Sequence, residues 1–81
     1  MVRTIYFNTK LRKVGLRKRP WLPKNHDETD VLAYLIPSEE KTVKRIDDGI
    51  YYDHLDNEYY YVSLNDGRTG YINKKAFREV S

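Results

Sequence analysis

Two histidines, 12 carboxylates and no cysteine bound the chemistry open to this 81-residue chain. His26, Asp27, Glu28 and Asp30 crowd one short stretch, and Asp53 adjoins His54 further on. Imidazole and carboxylate are metal donors, but a metal needs them to converge in space. A loop rich in acids with one histidine is ordinarily just solvated, so no metal is expected. Nucleophilic catalysis lacks its parts. There is no thiol, no nucleophile elbow and no phosphate loop, and Ser38, Ser63 and Ser81 have no histidine or acid at a recognisable spacing. Glu39 and Glu40 sit together before a strand, without the burial that would raise a carboxyl pKa for acid catalysis. The chain reads as non-catalytic, with no cofactor.

Its aromatic residues suit binding better. Eight are tyrosines, against two phenylalanines and one tryptophan. A tyrosine ring packs while its hydroxyl stays wet, which serves half-buried strands and contact surfaces equally. Tyr51, Tyr59, Tyr61 and Tyr71 are the candidates for an aromatic binding surface, with Trp21 as a ligand anchor in a proline-flanked loop. Asp53, Asp56 and Glu58 lie close enough in sequence to select a basic partner. The competing structural account has the tyrosines covering the second face of a strongly curved sheet and Trp21 closing one end of it.

Charge is unevenly spread. Residues 1–24 carry eight basic side chains and no acid, whereas the remaining 57 residues carry seven basic side chains and all 12 acids, leaving +8 and −5 within a net charge of +3. Lys10, Arg12, Lys13, Arg17, Lys18, Arg19 and Lys24 form a basic set that could contact phosphates of a nucleic acid, with Trp21 for base stacking. Neutralisation of this third by the acidic remainder within the fold explains the same asymmetry.

The elements that must position these groups are short strands. Val2–Phe7 is β-branched and aromatic, with Arg3, Ile5 and Phe7 on one face. Lys10–Arg19 alternates loosely, and Gly15 marks a bulge or bend. Pro20-Trp21-Leu22-Pro23 opens a loop to about Asp30, because neither proline can donate a backbone hydrogen bond. Val31–Ile36, ended by Pro37, reads as a buried strand rather than a helical turn, and Lys41–Ile46 as another strand. Asp56-Asn57 joins two tyrosine-rich segments in one hairpin. Asp66-Gly67 suits the primed turn of a second. Tyr60, Val62 and Leu64 are assigned to the core, with Tyr59, Tyr61 and Ser63 facing outward. Asn73 caps a short 3₁₀ turn within 73–77. Five or six such strands predict one small all-β domain over residues 1–81, a barrel or sandwich.

Residues 59–77 resemble the closing motif of bacterial SH3 (SH3b) domains: an aromatic-rich strand, a tight turn, Gly67-Arg68-Thr69-Gly70-Tyr71-Ile72, then a short 3₁₀ turn ending at Phe77. Gly15-Leu16-Arg17-Lys18-Arg19-Pro20 is similar to an earlier family stretch, with Arg19-Pro20 where Gly-Pro is usual. Val31–Ser38 is similar to the strand that follows, without its glycines. The resemblance implies a small SH3-like barrel that binds a protein or peptide partner, as a free-standing module of a phage or mobile element acting on a host factor would. In this family, aromatic residues of neighbouring loops line the groove. Nucleic-acid binding and cell-wall peptide recognition stay as alternatives. No apolar run approaches the roughly 20 residues a membrane span needs. The N-terminal segment leads into lysines and arginines rather than an apolar stretch, so a cytoplasmic location and no membrane partner are expected.

Overall fold

The computed structural model describes residues 3–19, 31–53 and 55–78. Among these, seven strands form one antiparallel sheet: β1 (Arg3–Tyr6), β2 (Val14–Arg17), β3 (Val31–Leu35), β4 (Thr42–Arg45), β5 (Tyr51–Tyr52), β6 (Glu58–Ser63) and β7 (Thr69–Asn73). The spatial order is β1-β4-β6-β7-β2-β3, with β5 pairing to β6. A single helical turn, α1 (Pro37–Glu40), joins β3 to β4, and a 3₁₀ turn (Lys74–Ala76) follows β7. The protein is a small all-β domain.

Alternation decides which side chains go inside. Val14 and Leu16 of β2, Val43 of β4, Val62 of β6 and Ile72 of β7 are buried in one cluster with Phe7, Leu35, Leu64 and Ala76. On β6 the expected inward set holds: Val62 and Leu64 are buried, and Tyr60 packs half-buried against the cluster. Tyr60 also carries the Arg45 guanidinium 4.2 Å from its ring centroid.

The sheet closes back on itself beside Phe77. Phe7 and Phe77 bridge antiparallel, the Asn8 N–H donates to the Ala76 carbonyl at 2.9 Å, and the Arg78 N–H donates to the Tyr6 carbonyl at 3.1 Å. β1 thus has β4 on one side and the segment after the 3₁₀ turn on the other. The rings reinforce the closure. Phe77 stacks between Phe7 (5.0 Å) and Tyr60 (5.9 Å). Asn73 sets the turn, its side chain accepting from the Lys75 N–H at 2.9 Å.

Three local expectations need correction. The β6–β7 hairpin is not a primed turn. Only Gly67 has positive φ (93°), and the hydrogen bonds Gly67 N–H to Leu64 carbonyl and Leu64 N–H to Arg68 carbonyl describe a three-residue loop ending in a left-handed residue. The β5–β6 hairpin has the same hydrogen-bond pattern, with Asp56 (φ 61°) in the left-handed place. The irregularity of the β2–β3 pair falls at Leu16/Arg17, where the register skips a residue of β3, rather than at Gly15. β3 is also not buried throughout. Leu35 is inside, while Leu32, Tyr34 and Ile36 are about half exposed, because β3 is the last strand of the sheet and its outer face is only partly covered.

Gly70 is where β7 meets β2. A Cβ built there would lie 2.7 Å from Leu16 Cδ1 and 2.9 Å from the Arg17 carbonyl oxygen, which cannot rotate away. Gly70→Ala should therefore cost about 1–3 kcal/mol by overpacking, measured by denaturant unfolding. Gly67→Ala, whose methyl meets open space, should cost only the backbone penalty, about 1 kcal/mol.

Candidate functional site

Register brings three of the four candidate tyrosines together on the outer face of the sheet. Tyr61 and Tyr71 are directly opposed across β6 and β7, with ring centroids 5.0 Å apart. Tyr51 of β5 meets the Tyr71 ring edge-on at 5.1 Å. All three are half-buried and lie outside the core cluster. Asp47 clamps the group: its Oδ2 accepts from the Tyr51 hydroxyl at 2.7 Å and its Oδ1 from the Gly49 N–H at 3.0 Å. That hydrogen bond, with burial and the Asp47 charge behind it, pushes the Tyr51 phenol above its ordinary range. The three rings brace one another, and each keeps part of its surface accessible.

Tyr59 belongs elsewhere. The expectation that it joins the exposed surface is corrected: only 3 % of it is exposed. It shares the outward side of β6, but it is buried, and its hydroxyl donates to Asp53 Oδ2 at 3.1 Å. Burial and the Asp53 carboxylate push this phenol's pKa up.

Asp53 is corrected with it. It is buried, and its carboxylate is spent on the turn. Oδ1 accepts from the N–H groups of Leu55 (2.8 Å) and Asn57 (2.9 Å), while Oδ2 accepts from the Asn57 amide (3.0 Å) and Tyr59. Burial works against ionisation here, but hydrogen bonds from the Asn57 side chain, two backbone N–H groups and Tyr59 outweigh it and hold the carboxyl below its usual range. Asp53 builds the hairpin rather than selecting a basic partner. Glu58 is half-buried and paired with Lys74 Nζ at 3.1 Å, and Asp56 is exposed at the tip.

The basic set is divided. Arg17 pairs in register with Tyr71, which puts it on the aromatic face. Lys13 lies 4.2 Å over the Tyr34 ring. Lys10, Arg12, Lys18 and Arg19 are exposed. Trp21 and Lys24 lie outside the described residues, as do His26, Asp27, Glu28, Asp30 and His54. Among the described residues no group of three histidines or acids is placed to hold a metal, and no helix is long and apolar enough to cross a membrane.

Tyr34 is a further outer-face ring that the sequence alone does not place. It opposes Gly15 in register, and its ring lies across that glycine, 3.8 Å from where a Cβ would be. Gly15 and Arg17 share one side of β2, so Tyr34 stands on the same outer side as Tyr61 and Tyr71. The signal was the Tyr34/Gly15 pairing, which requires knowing the register. Searches against family models, curated proteins and solved structures return no match.

Asp53 makes a checkable prediction. Its folded pKa lies below the ordinary value of 3.8, so its stabilisation is complete above that value and is lost as pH falls through the lower, folded one. Asp53→Ala should cost about 2 kcal/mol at neutral pH. The gap between the wild-type and variant unfolding midpoints should narrow as pH drops below about 4.

Proposed function

We propose that the protein is a non-catalytic, SH3-like binding module whose outer sheet face engages a protein or peptide partner. The observation that carries this is the Tyr51–Tyr71–Tyr61 cluster: three rings in contact, outside the core, each keeping accessible surface, held by strand register and by Asp47. Ordering costs little on such a surface, since its rings are already braced before a partner arrives. Tyrosine offers large apolar area with few rotatable bonds, which favours it at binding hot spots.

The mechanism is desolvation. An apolar or proline-bearing segment displaces water from the three rings, while the tyrosine hydroxyls and Arg17 supply polar contacts at the margin. Selection of a basic partner by Asp53 is not part of this account, because that carboxylate is fully engaged. Arg17 beside Tyr71 supports a second reading, in which the face stacks bases of a single strand and the cation meets phosphate.

Peptide-display selection against the intact chain distinguishes the two. Selected peptides should bind with weak salt dependence, and Tyr61→Ala and Tyr71→Ala should each weaken them by about tenfold while unfolding stays cooperative. Selection that yields nothing, alongside oligonucleotide binding that falls steeply with added salt, would reject the peptide reading in favour of the nucleic-acid one. A Tyr61→Ala protein that fails to fold, with Tyr71→Ala and Tyr51→Ala still binding normally, would reject the platform altogether.

A further inference from the structure

At the closed edge of the sheet, away from the tyrosine face, lies an open groove of about 860 Å³. It runs between the turn after β1, the residue that ends α1, and the segment after the 3₁₀ turn. Lys10, Lys41 and Arg78 all line it, and no carboxylate does among the described residues. This is notable in a chain with 12 acids. Three cations elsewhere are ion-paired: Arg3 with Asp48, Arg68 with Asp66 and Lys74 with Glu58. Lys10 and Lys41 make no ion pair among the described residues. Asn8 adds a donor. Its Oδ1 already accepts from the Lys10 N–H at 3.1 Å, which leaves its amide nitrogen for a ligand. Arg78 is placed by its guanidinium, 4.5 Å over the Tyr6 ring.

A second, independent observation concerns Lys41. Its backbone sits at φ 64°, ψ −51°, a corner that L-residues occupy only under strain. One helical and one tertiary bond hold it there: the Lys41 N–H donates to the Pro37 carbonyl at the end of α1, and its own carbonyl accepts from the Phe7 N–H, both at 2.9 Å. Glycine would take this corner at lower cost, so the backbone gives no reason for lysine. Lining the groove does give one.

We propose that this groove is a binding site for a phosphate group, with Lys10, Lys41 and Arg78 neutralising it and the Asn8 amide and Thr42 hydroxyl donating to its oxygens. Several cations and neutral donors around one open volume suit a multiply charged anion with several acceptor oxygens better than a single carboxylate. The phosphate could come from a free nucleotide or from a nucleic-acid backbone. The site shares no residue with the tyrosine face.

The test is a nuclear magnetic resonance titration of the intact chain with sodium pyrophosphate at constant ionic strength, with parallel arms of adenosine monophosphate and a short oligothymidylate. Backbone amides of residues 7–10, 41–42 and 77–78 should shift and saturate, with a Kd of about 1 mM or tighter. Lys10→Gln should weaken binding by about threefold. Lys41→Gly separates charge from fold: it should raise the unfolding midpoint while weakening pyrophosphate by about threefold. Stronger binding of the mononucleotide assigns the phosphate to a free nucleotide, and stronger binding of the oligomer assigns it to a backbone. The proposal is overturned if pyrophosphate shifts no more than sodium chloride of equal ionic strength. It is equally overturned if the shifts spread over Lys18, Lys44 and Lys75, or if Lys41→Gly leaves affinity unchanged.

Discussion

The architecture depends on one close approach. β7 lies against β2 at Gly70, where the space a methyl group would need is already filled by Leu16 and the Arg17 carbonyl. This contact carries Leu16, wholly buried, into the cluster with Ile72 and Val62. On the opposite face the same contact sets Arg17 beside Tyr71, and Tyr71 beside Tyr61. Core packing and surface composition are thus two sides of one strand pairing. A shift of one residue in that register would turn the rings inward and the aliphatic side chains outward.

The second constraint is closure. A chain this short buries a modest fraction of its surface and has no disulfide to help it. It gains by joining its first strand to its last turn, with Phe77 packed between Phe7 and Tyr60. Closure also pairs backbone groups at the end of β1, the Tyr6 carbonyl and the Asn8 N–H, that would otherwise be left open. The phosphate groove proposed here is a product of that junction. It forms where the turn after β1, the corner at Lys41 and the segment carrying Arg78 come together.

Polar side chains in this domain divide into those that build and those left over. Asp53 binds four donors and orders a hairpin whose left-handed corner is an aspartate, not a glycine. Asp47 does similar work for Tyr51. Both are acids near tyrosines, and from composition alone either could be assigned to ligand selection. Their hydrogen bonds show that they hold the scaffold of the aromatic face.

Much of this was legible in the order of residues. β-Branched and aromatic composition marked β1, and alternation marked β4 and assigned Val62 and Leu64 to the inward face, because a strand must alternate its side chains whatever it packs against. Asn73 marked the 3₁₀ turn, and Gly67 a tight turn, for reasons equally local. The turn type, the exposed face of β3 and the fates of Tyr59 and Asp53 were not legible. Tyr59 and Tyr61 share one alternating face of β6, yet one is buried with its hydroxyl on Asp53 and the other is braced against Tyr71 with its ring partly exposed. Tyr59 is engaged by Asp53 across the β5–β6 hairpin, whereas Tyr61 meets Tyr71 across β6–β7; those pairings depend on strand register, which period-two alternation does not encode. Likewise Lys10, Lys41 and Arg78 are far apart in the chain and share a groove only because the sheet closes. Local sequence determined most of the strands and the inward aliphatic side chains; pairing between strands decided which faces are covered and which side chains meet.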